Sequence, residues 1–594
     1  MNVKNVSLNN KMLKAISFNI TIYTILLSIS FIFISPKAFA LVSDSDIDQV
    51  IKKQEQLIVE EQDRKIEEER LNQEEFLRKK KEDRVNFVKP EAPKKVKGIL
   101  PSFDITTIVF DGANSLFSSE IKELKASYLN TKITINEIND LVRDITNTYI
   151  ERGFVTTRVY IPKQNLKSGK LILKVQEGII EDIKLEGTNP QQLATAFPAL
   201  KGEVLNIRHI EQGLEQMNRL QSNEATVKLI PSEKKIGGTV VVIINKPSSL
   251  GQLKVNYASS DFAFELKPNS FDLAYDNFFN LNDSFGLNYS QGFQQNTQFN
   301  NSLGLSFSMP FSYLLWNFSY SQFDYMSVIE GSWRNFTSSG KTKTVKSEVT
   351  WCMLRNKWGK INLVGGLTSK GTESFIEDVK SEVGSRRLTL LNYGMNSSFR
   401  NGFGSWSINA NIIAGITSFG AKKDSEDLKT TDSHAQFTKF TGGLTWSNYF
   451  NVLFLPVSYQ TRINGQYSQQ SLFSSEQFSA TARGYDSSIQ GEYGLTVVNE
   501  GSYPLSAITF GLLGEGSKKI QVFHGIDAGW ARKKGGRSFH GPEGEGYMIG
   551  AATGLRYFED GWNIDLTFGR RIKASSYIAK PSYIWSISIS KYLY

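Results

Sequence analysis

Four histidines, one cysteine and scattered carboxylates are the residues of this chain that could do chemistry, and none is spaced for it. His209, His434, His524 and His540 lie too far apart in sequence for a zinc-ligand pattern. Cys352 is the single cysteine, so no intrachain disulfide forms. There is no GxSxG elbow, no HExxH helix and no GxxxxGK[ST] phosphate loop. Carboxylates occur, but no pair sits in a convincing acid–base setting. These observations predict a protein that is not an enzyme and uses no metal and no cofactor. The 68 basic and 59 acidic residues leave a net charge of +9 that is spread along the chain. Without a concentrated basic face there is no case for a nucleic-acid partner.

With chemistry set aside, hydrophobic patterning carries the information. From about Leu250 to Tyr594 the apolar period is two: Leu303, Leu305, Phe307 and Met309 alternate with Gly304, Ser306 and Ser308. Leu314, Trp316, Phe318 and Tyr320 do the same after a turn, as do Trp406, Ile408, Ala410 and Ile412. Lipid outside and water inside demand one apolar and one polar face per strand. Lipid satisfies no sheet edge, so such a sheet must close. Residues 248–594 are therefore expected to form a transmembrane β-barrel of about 16 antiparallel strands, facing outer-membrane lipid. A barrel of that size leaves a bore wide enough for water or a chain segment.

Two small α/β units precede it, expected over 100–178 and 179–247. In the first, Ile105–Phe110 is a strand ended by Asp111-Gly112, and a helix covers Ser119 to Tyr128. Thr134-Ile135-Asn136-Glu137 is a capping box, and Ile138, Leu141, Val142, Ile145 and Tyr149 line one face of the helix it opens. Val155–Ile161 and Lys170–Gln176 complete the order β-α-α-β-β. That order recurs from Ile183, with a helix carrying Ile210, Leu214, Met217 and Leu220 and strands at Ala225–Ile230 and Thr239–Asn245. The edges of such sheets could accept an extended peptide by backbone pairing, or the units could be plain spacers.

The first forty residues have the form of a secretory signal. Lys4, Lys11 and Lys14 precede an uncharged run from Ala15 to Ser35, and Ala38-Phe39-Ala40 supplies a cleavage site. A permanent anchor is the alternative, because the run is long enough to span a bilayer. The charge-dense stretch from Ser43 to about Arg84 opens with Ile47, Val50, Ile51, Leu57 and Ile58 at helical spacing. It is either a solvated spacer or a plug. Val88-Lys89-Pro90-Glu91-Ala92-Pro93 ends it.

Several short motifs, taken in order, resemble the TpsB transporters of two-partner secretion. Ile150-Glu151-Arg152-Gly153-Phe154-Val155-Thr156-Thr157-Arg158-Val159-Tyr160 is similar to the family's first POTRA domain. Asp276-Asn277 with Leu281-Asn282-Asp283, and Tyr320-Ser321-Gln322-Phe323, are similar to its early hairpins. Ala482-Arg483-Gly484-Tyr485 resembles its (V)RG(Y/F) loop signature, and Gly525-Ile526-Asp527-Ala528-Gly529 its barrel-wall motif. The resemblance implies two periplasmic POTRA domains before an outer-membrane barrel, with a signal peptide at 1–40, a plug helix at 41–66 and a charged linker at 67–99. It implies that the sixth extracellular loop folds into the pore, with Arg483 meeting Asp527, Gly484 turning the tip, Tyr485 packing beside it and Gly529 in the wall. Thr157, Arg158, Val159 and Tyr160 would contact the partner, a large secreted TpsA exoprotein. The barrel assembly machinery is the implied partner in biogenesis. Departures from the family pattern are Ser102 where many relatives carry a cysteine, Ala482 for valine and Tyr594 for a terminal phenylalanine. The alternative of the same architecture is an outer-membrane protein insertase.

Overall fold

The computed structural model describes residues 101–594 apart from 116–117, 199, 260–266, 294–298, 331–334, 454, 486, 510–514, 535–543, 560, 577, 579–582 and 594. The expected signal (1–40), plug helix (41–66) and charged linker (67–99) lie outside the described residues.

The first small domain contains β1 (Ser102–Ile105), β2 (Thr107–Asp111), α1 (Ser118–Ala126), β3 (Thr131–Thr134), α2 (Ile135–Glu151), β4 (Arg158–Tyr160) and β5 (Lys170–Gln176). The Thr134 side chain accepts from the Glu137 amide while Glu137 reaches back to the Thr134 amide, a reciprocal cap that stabilises the start of α2 by about 1 kcal/mol. Ile138, Leu141, Ile145 and Tyr149 on α2 are fully buried against Leu171, Leu173 and Val175, the alternate residues of β5. The element order differs from the expected β-α-α-β-β, because β1 pairs with β3 in a separate two-stranded ribbon. Those strands are four residues each, too short to show a period. The strand expected over Val155–Ile161 shrinks to Arg158–Tyr160, since the chain turns through Gly153–Thr157 with Gly153 at φ 100°.

The second domain keeps the expected order: β6 (Ile179–Glu186), α3 (Gln192–Ala196), α4 (Ile207–Asn218), β7 (Ala225–Pro231) and β8 (Gly238–Asn245). Its sheet runs β6-β8-β7. Ile210, Leu214 and Met217 pack beneath it on Val241 and Ile243.

From Gly251 the chain forms sixteen antiparallel strands, closed where the last, Tyr583–Leu593, pairs with the first, Gly251–Ser259. Val379–Lys380 adds a two-residue extension in one loop. Alternation decides which way side chains point. On Lys267–Asp276, Phe271, Leu273 and Tyr275 are exposed on the outer wall while Asp272 and Asp276 face the bore. At the end that carries the small domains, outward aromatics pack against one another across neighbouring strands. Phe285 meets Phe307 with centroids 4.7 Å apart, Phe307 meets Trp316 at 5.5 Å, and Trp406 meets Trp446 at 5.9 Å. Such a girdle sits where a bilayer meets water.

The second domain is bolted to this end of the barrel. Arg219, at the end of α4, donates to Ser308 Oγ at 2.6 Å and to the Asn282 carbonyl at 2.5 Å. Gln212 and Gln216 both donate to the Ser312 carbonyl, and Arg355 and Lys360 pair with Glu215. Asn282 Nδ2 donates to the Gln192 carbonyl at 2.8 Å and to Thr195 Oγ1 at 2.9 Å. Tyr313 Oη lies 2.7 Å from His209 Nδ1, and burial pushes the His209 pKa down, so the ring is neutral near pH 7. The Asp276–Asp283 segment is thus the turn on which the second domain sits. These contacts couple the domain's position to the first seven strands.

Candidate functional site

The loop between strands Leu455–Ser468 and Tyr493–Pro504 is the sixth on the end of the barrel away from the small domains. It does not stay outside. Phe478–Ala480 and Ile489–Gly491 form a short antiparallel ribbon that descends along the inner wall, with residues 481–485 at its tip. Ala480, Ala482 and Ile489 pack on Ala531 and Met548 of the wall.

Asp527 lies on strand Ile520–Arg532, and it points inward, because its neighbour Ile526 is 56% exposed on the outer wall while Asp527 is 1% exposed. Arg483 meets it with both arms of its fork: Nε to Oδ2 at 2.6 Å and Nη2 to Oδ1 at 2.8 Å. The Arg483 amide also donates to Oδ2 at 3.1 Å, so the carboxylate holds the tip's backbone as well as its charge. The remaining arm, Nη1, reaches Glu500 Oε2 at 2.5 Å. Glu500 pairs in turn with Arg556, whose Nε donates to Asp565 Oδ2 at 2.8 Å. The result is a chain of alternating charge, Asp527–Arg483–Glu500–Arg556–Asp565, strung over four strands and the loop tip. Burial works against the charge on Arg483, but Asp527 and Glu500 outweigh it and raise the guanidinium pKa. Phe523 underlies both arginines, its ring 4.1 Å from the Arg556 guanidinium carbon and 5.8 Å from that of Arg483.

Glycines let the tip come this close. Gly484 has φ 95°, which L side chains rarely adopt, and a Cβ there would sit 2.6 Å from the Arg570 carbonyl carbon. On the wall, a Cβ at Gly529 would meet the Thr481 carbonyl oxygen at 2.9 Å, and one at Gly569 would meet Gly484 Cα at 2.8 Å. A Cβ at Gly550 would overlap the Arg483 carbonyl oxygen. These inward positions form a flat seat. Tyr485 then locks the tip sideways, its one hydroxyl hydrogen shared between the Ile549 and Lys573 carbonyl oxygens at 3.0 and 2.8 Å.

A second anchor holds the other arm of the loop. Glu476, 5% exposed, lies between Lys439 (3.0 Å) and Lys370 (3.2 Å) on strands Thr438–Val452 and Gly359–Ile376. Burial opposes its charge, yet the two lysines hold its carboxyl down to about 2. Leu472 and Phe473 beside it pack on Leu388, Leu390, Ala435 and Phe437. The loop is therefore tied to two separate sectors of the wall. Replacing Glu476 with glutamine leaves two buried lysines without a counter-charge. The expected result is a higher ion conductance of the reconstituted pore, and conductance equal to the wild type would remove Glu476 from the closure.

Of the sequence-derived residues, Arg483, Gly484, Tyr485, Asp527 and Gly529 come together in this one site. Arg158, Val159 and Tyr160 lie far along the chain on β4, an edge of the sheet β2-β5-β4, and Thr157 immediately precedes it. Thr157 is buried in the turn that precedes β4. Tyr160 is 44% exposed. Glu500, Arg556, Asp565 and the Glu476 anchor were not apparent from sequence motifs. The inward glycines had a signal, since Gly525-x-Asp527-x-Gly529 and Gly550-x-Ala552-x-Gly554 repeat small residues at strand period.

Comparison with known proteins decides what carries such a loop. Residues 237–557 match the family described as haemolysin secretion/activation protein ShlB/FhaC/HecB, residues 103–178 match the ShlB-type POTRA domain and residues 179–231 a POTRA domain. The chain belongs to this family. It is 30% identical over 422 residues to the outer membrane transporter CdiB of Dickeya dadantii (strain 3937), covering 70% of this chain and 74% of that protein. It is 25% identical over 444 residues to the hemolysin transporter protein HpmB of Proteus mirabilis, covering 73% and 76%. The solved structure of CdiB from Escherichia coli superposes with a TM-score of 0.76 at 25% identity, covering 94% of this chain and 100% of that one. This ShlB/FhaC/HecB-type chain is an outer-membrane transporter, its two POTRA domains on the periplasmic side. The sixth loop thus enters the pore from the extracellular side, and the aromatic girdle marks the periplasmic interface.

Proposed function

We propose that this transporter exports one large secreted TpsA-type exoprotein, and that its sixth loop, latched through Arg483 to Asp527, is the element the exoprotein works against. The observation that carries the proposal is the charge chain itself. A pair buried in a wet bore is a weak source of stability but a sharp determinant of position. A passive pore needs no loop aligned on its wall by a bidentate arginine. The exoprotein reaches the POTRA domains unfolded and docks on the exposed edge that includes Arg158, Val159 and Tyr160, where backbone pairing makes little demand on sequence. It then passes along the bore beside the loop. No chemical step by this chain is invoked, and folding of the exoprotein outside supplies direction.

Residues 41–66 are proposed to occupy the pore at rest, and deleting 43–65 is expected to raise ion leakage. Unaltered leakage would leave that segment a spacer. The export reading is tested by expressing this chain with the large, repeat-rich secreted protein expected from a neighbouring reading frame in a Gram-negative host that lacks both. The exoprotein is expected in the medium only when both are present. Its release in the absence of this chain would refute the proposal.

A further inference from the structure

Behind the latch, on the outer wall, polar side chains face the position of lipid. Because Asp527 points inward, Ile526 points out, and the register carries that outward row from Asn499 through Ile526 and Ala551 to Arg570. His524, two positions from Ile526, also faces out. Ionisable residues on a lipid-facing wall are costly and mark function unless a partner satisfies them. Two of these groups are satisfied within the protein. Tyr503 and Thr553 place hydroxyls 3.0 and 2.9 Å from the two ring nitrogens of His524. Asn499 accepts from Tyr459 at 3.1 Å and Thr461 at 2.9 Å.

Arg570 is different. Its side chain is exposed, and among the described residues its one interaction is with the ring of Tyr583, 5.9 Å away. Among the described residues no carboxylate pairs with it and no acceptor takes its N–H groups. It borders a groove of about 780 Å³ whose lining includes Asn499, His524, Ile526, Thr553 and Phe568. Three residues further along the same strand, Lys573 is exposed and sits over the Tyr547 ring at 5.8 Å. Height decides which leaflet these cations meet. Arg570 lies eight residues beyond Trp562, at the periplasmic turn of strand Trp562–Ala574. At about 3.3 Å per residue and a tilt of about 40°, that is about 20 Å up an apolar band about 25 Å tall. An arginine there reaches upward to the outer-leaflet headgroups.

We propose that this groove binds a phosphorylated glycolipid of the outer leaflet, lipid A in chemical class. The Arg570 guanidinium takes phosphate oxygens in a bidentate contact, Lys573 meets the headgroup above it, and an acyl chain lies along Phe568 and Ile526. The backbone of Arg570 that carries this site is the same one against which Gly484 is pressed from inside the bore.

The test uses the full chain purified in neutral detergent, with lipid A, phosphatidylglycerol or phosphatidylcholine added and retention read by native mass spectrometry. The wild type is expected to retain lipid A, Arg570→Gln at least about tenfold less, because a charge-assisted bond to phosphate is lost. Arg570→Lys should retain more than Arg570→Gln and less than the wild type, because it keeps the charge and loses the two-armed contact. Ala551→Trp, which fills the groove and leaves the arginine in place, should also reduce retention, so the proposal stands or falls even if the glutamine variant assembles poorly. Lipid A retention by folded Arg570→Gln or Ala551→Trp at the wild-type level would overturn the site. Equal retention of phosphatidylcholine would overturn the phosphate contact, and preference for phosphatidylglycerol would overturn the outer-leaflet assignment.

Discussion

Replacing Arg483 with alanine is expected to reduce export of the exoprotein by about tenfold or more while leaving the barrel folded and inserted. The substitution removes three charge-assisted contacts at once and strands Asp527 in the inner wall, while Glu500 keeps Arg556. Breaking a buried pair by deleting one partner costs about 3–5 kcal/mol, since the remaining charge keeps its desolvation penalty. At 1.4 kcal/mol per tenfold, even the lower figure shifts the tip from seated to unseated by about 100-fold. The strand ladder on either side of Asp527 is untouched, so heat-dependent migration of the barrel in gels should not change. The readout is exoprotein in the medium against exoprotein held in the periplasm. Secretion at the wild-type level would exclude the loop from the mechanism.

Filling the seat should have the same effect without touching a charge. Gly550→Val places a branched side chain where the Arg483 carbonyl oxygen now lies, and the wall cannot yield because strand Glu545–Glu559 is paired on both sides. Gly550 faces the bore, where a valine without the loop meets only water. The barrel should therefore tolerate the change and the tip should not. Export is expected to fall about as far as in Arg483→Ala. Because both substitutions unseat one element, the double variant should be no worse than either alone, whereas independent effects would multiply. A double variant at the product of the two single losses would show that Gly550 and Arg483 act separately.

Much of the architecture was legible because the physics that builds it is periodic. A wall between lipid and water forces alternation on strands such as Leu314–Glu330, and two α/β units show as repeated changes of period. The four-residue strands β1 and β3 were hidden, since so few residues carry no period, and their pairing is decided by packing beneath Ile105 and Ile133. The latch was half legible. Arg483 and Asp527 stand in recognisable local motifs, but Glu500, Arg556 and Asp565 are single charges on polar faces, where a charge is ordinary. Only strand register brings them within reach of one another. Glu476 was hidden for the same reason, because Lys370 and Lys439 lie 106 and 37 residues away. The docking of α4 was equally invisible. Arg219 resembles any helix-terminal arginine until the turn at Asn282 closes on it.

The rival of the same architecture, an insertase, makes the opposite prediction for one experiment. Depleting this chain from its own host and comparing the outer-membrane and secreted proteins by quantitative mass spectrometry separates the two readings. Loss of a single very large secreted protein, with the outer-membrane proteins at their normal levels, is the result predicted here. A broad fall in outer-membrane proteins, or a secreted set that does not change, would contradict export of one partner through this pore.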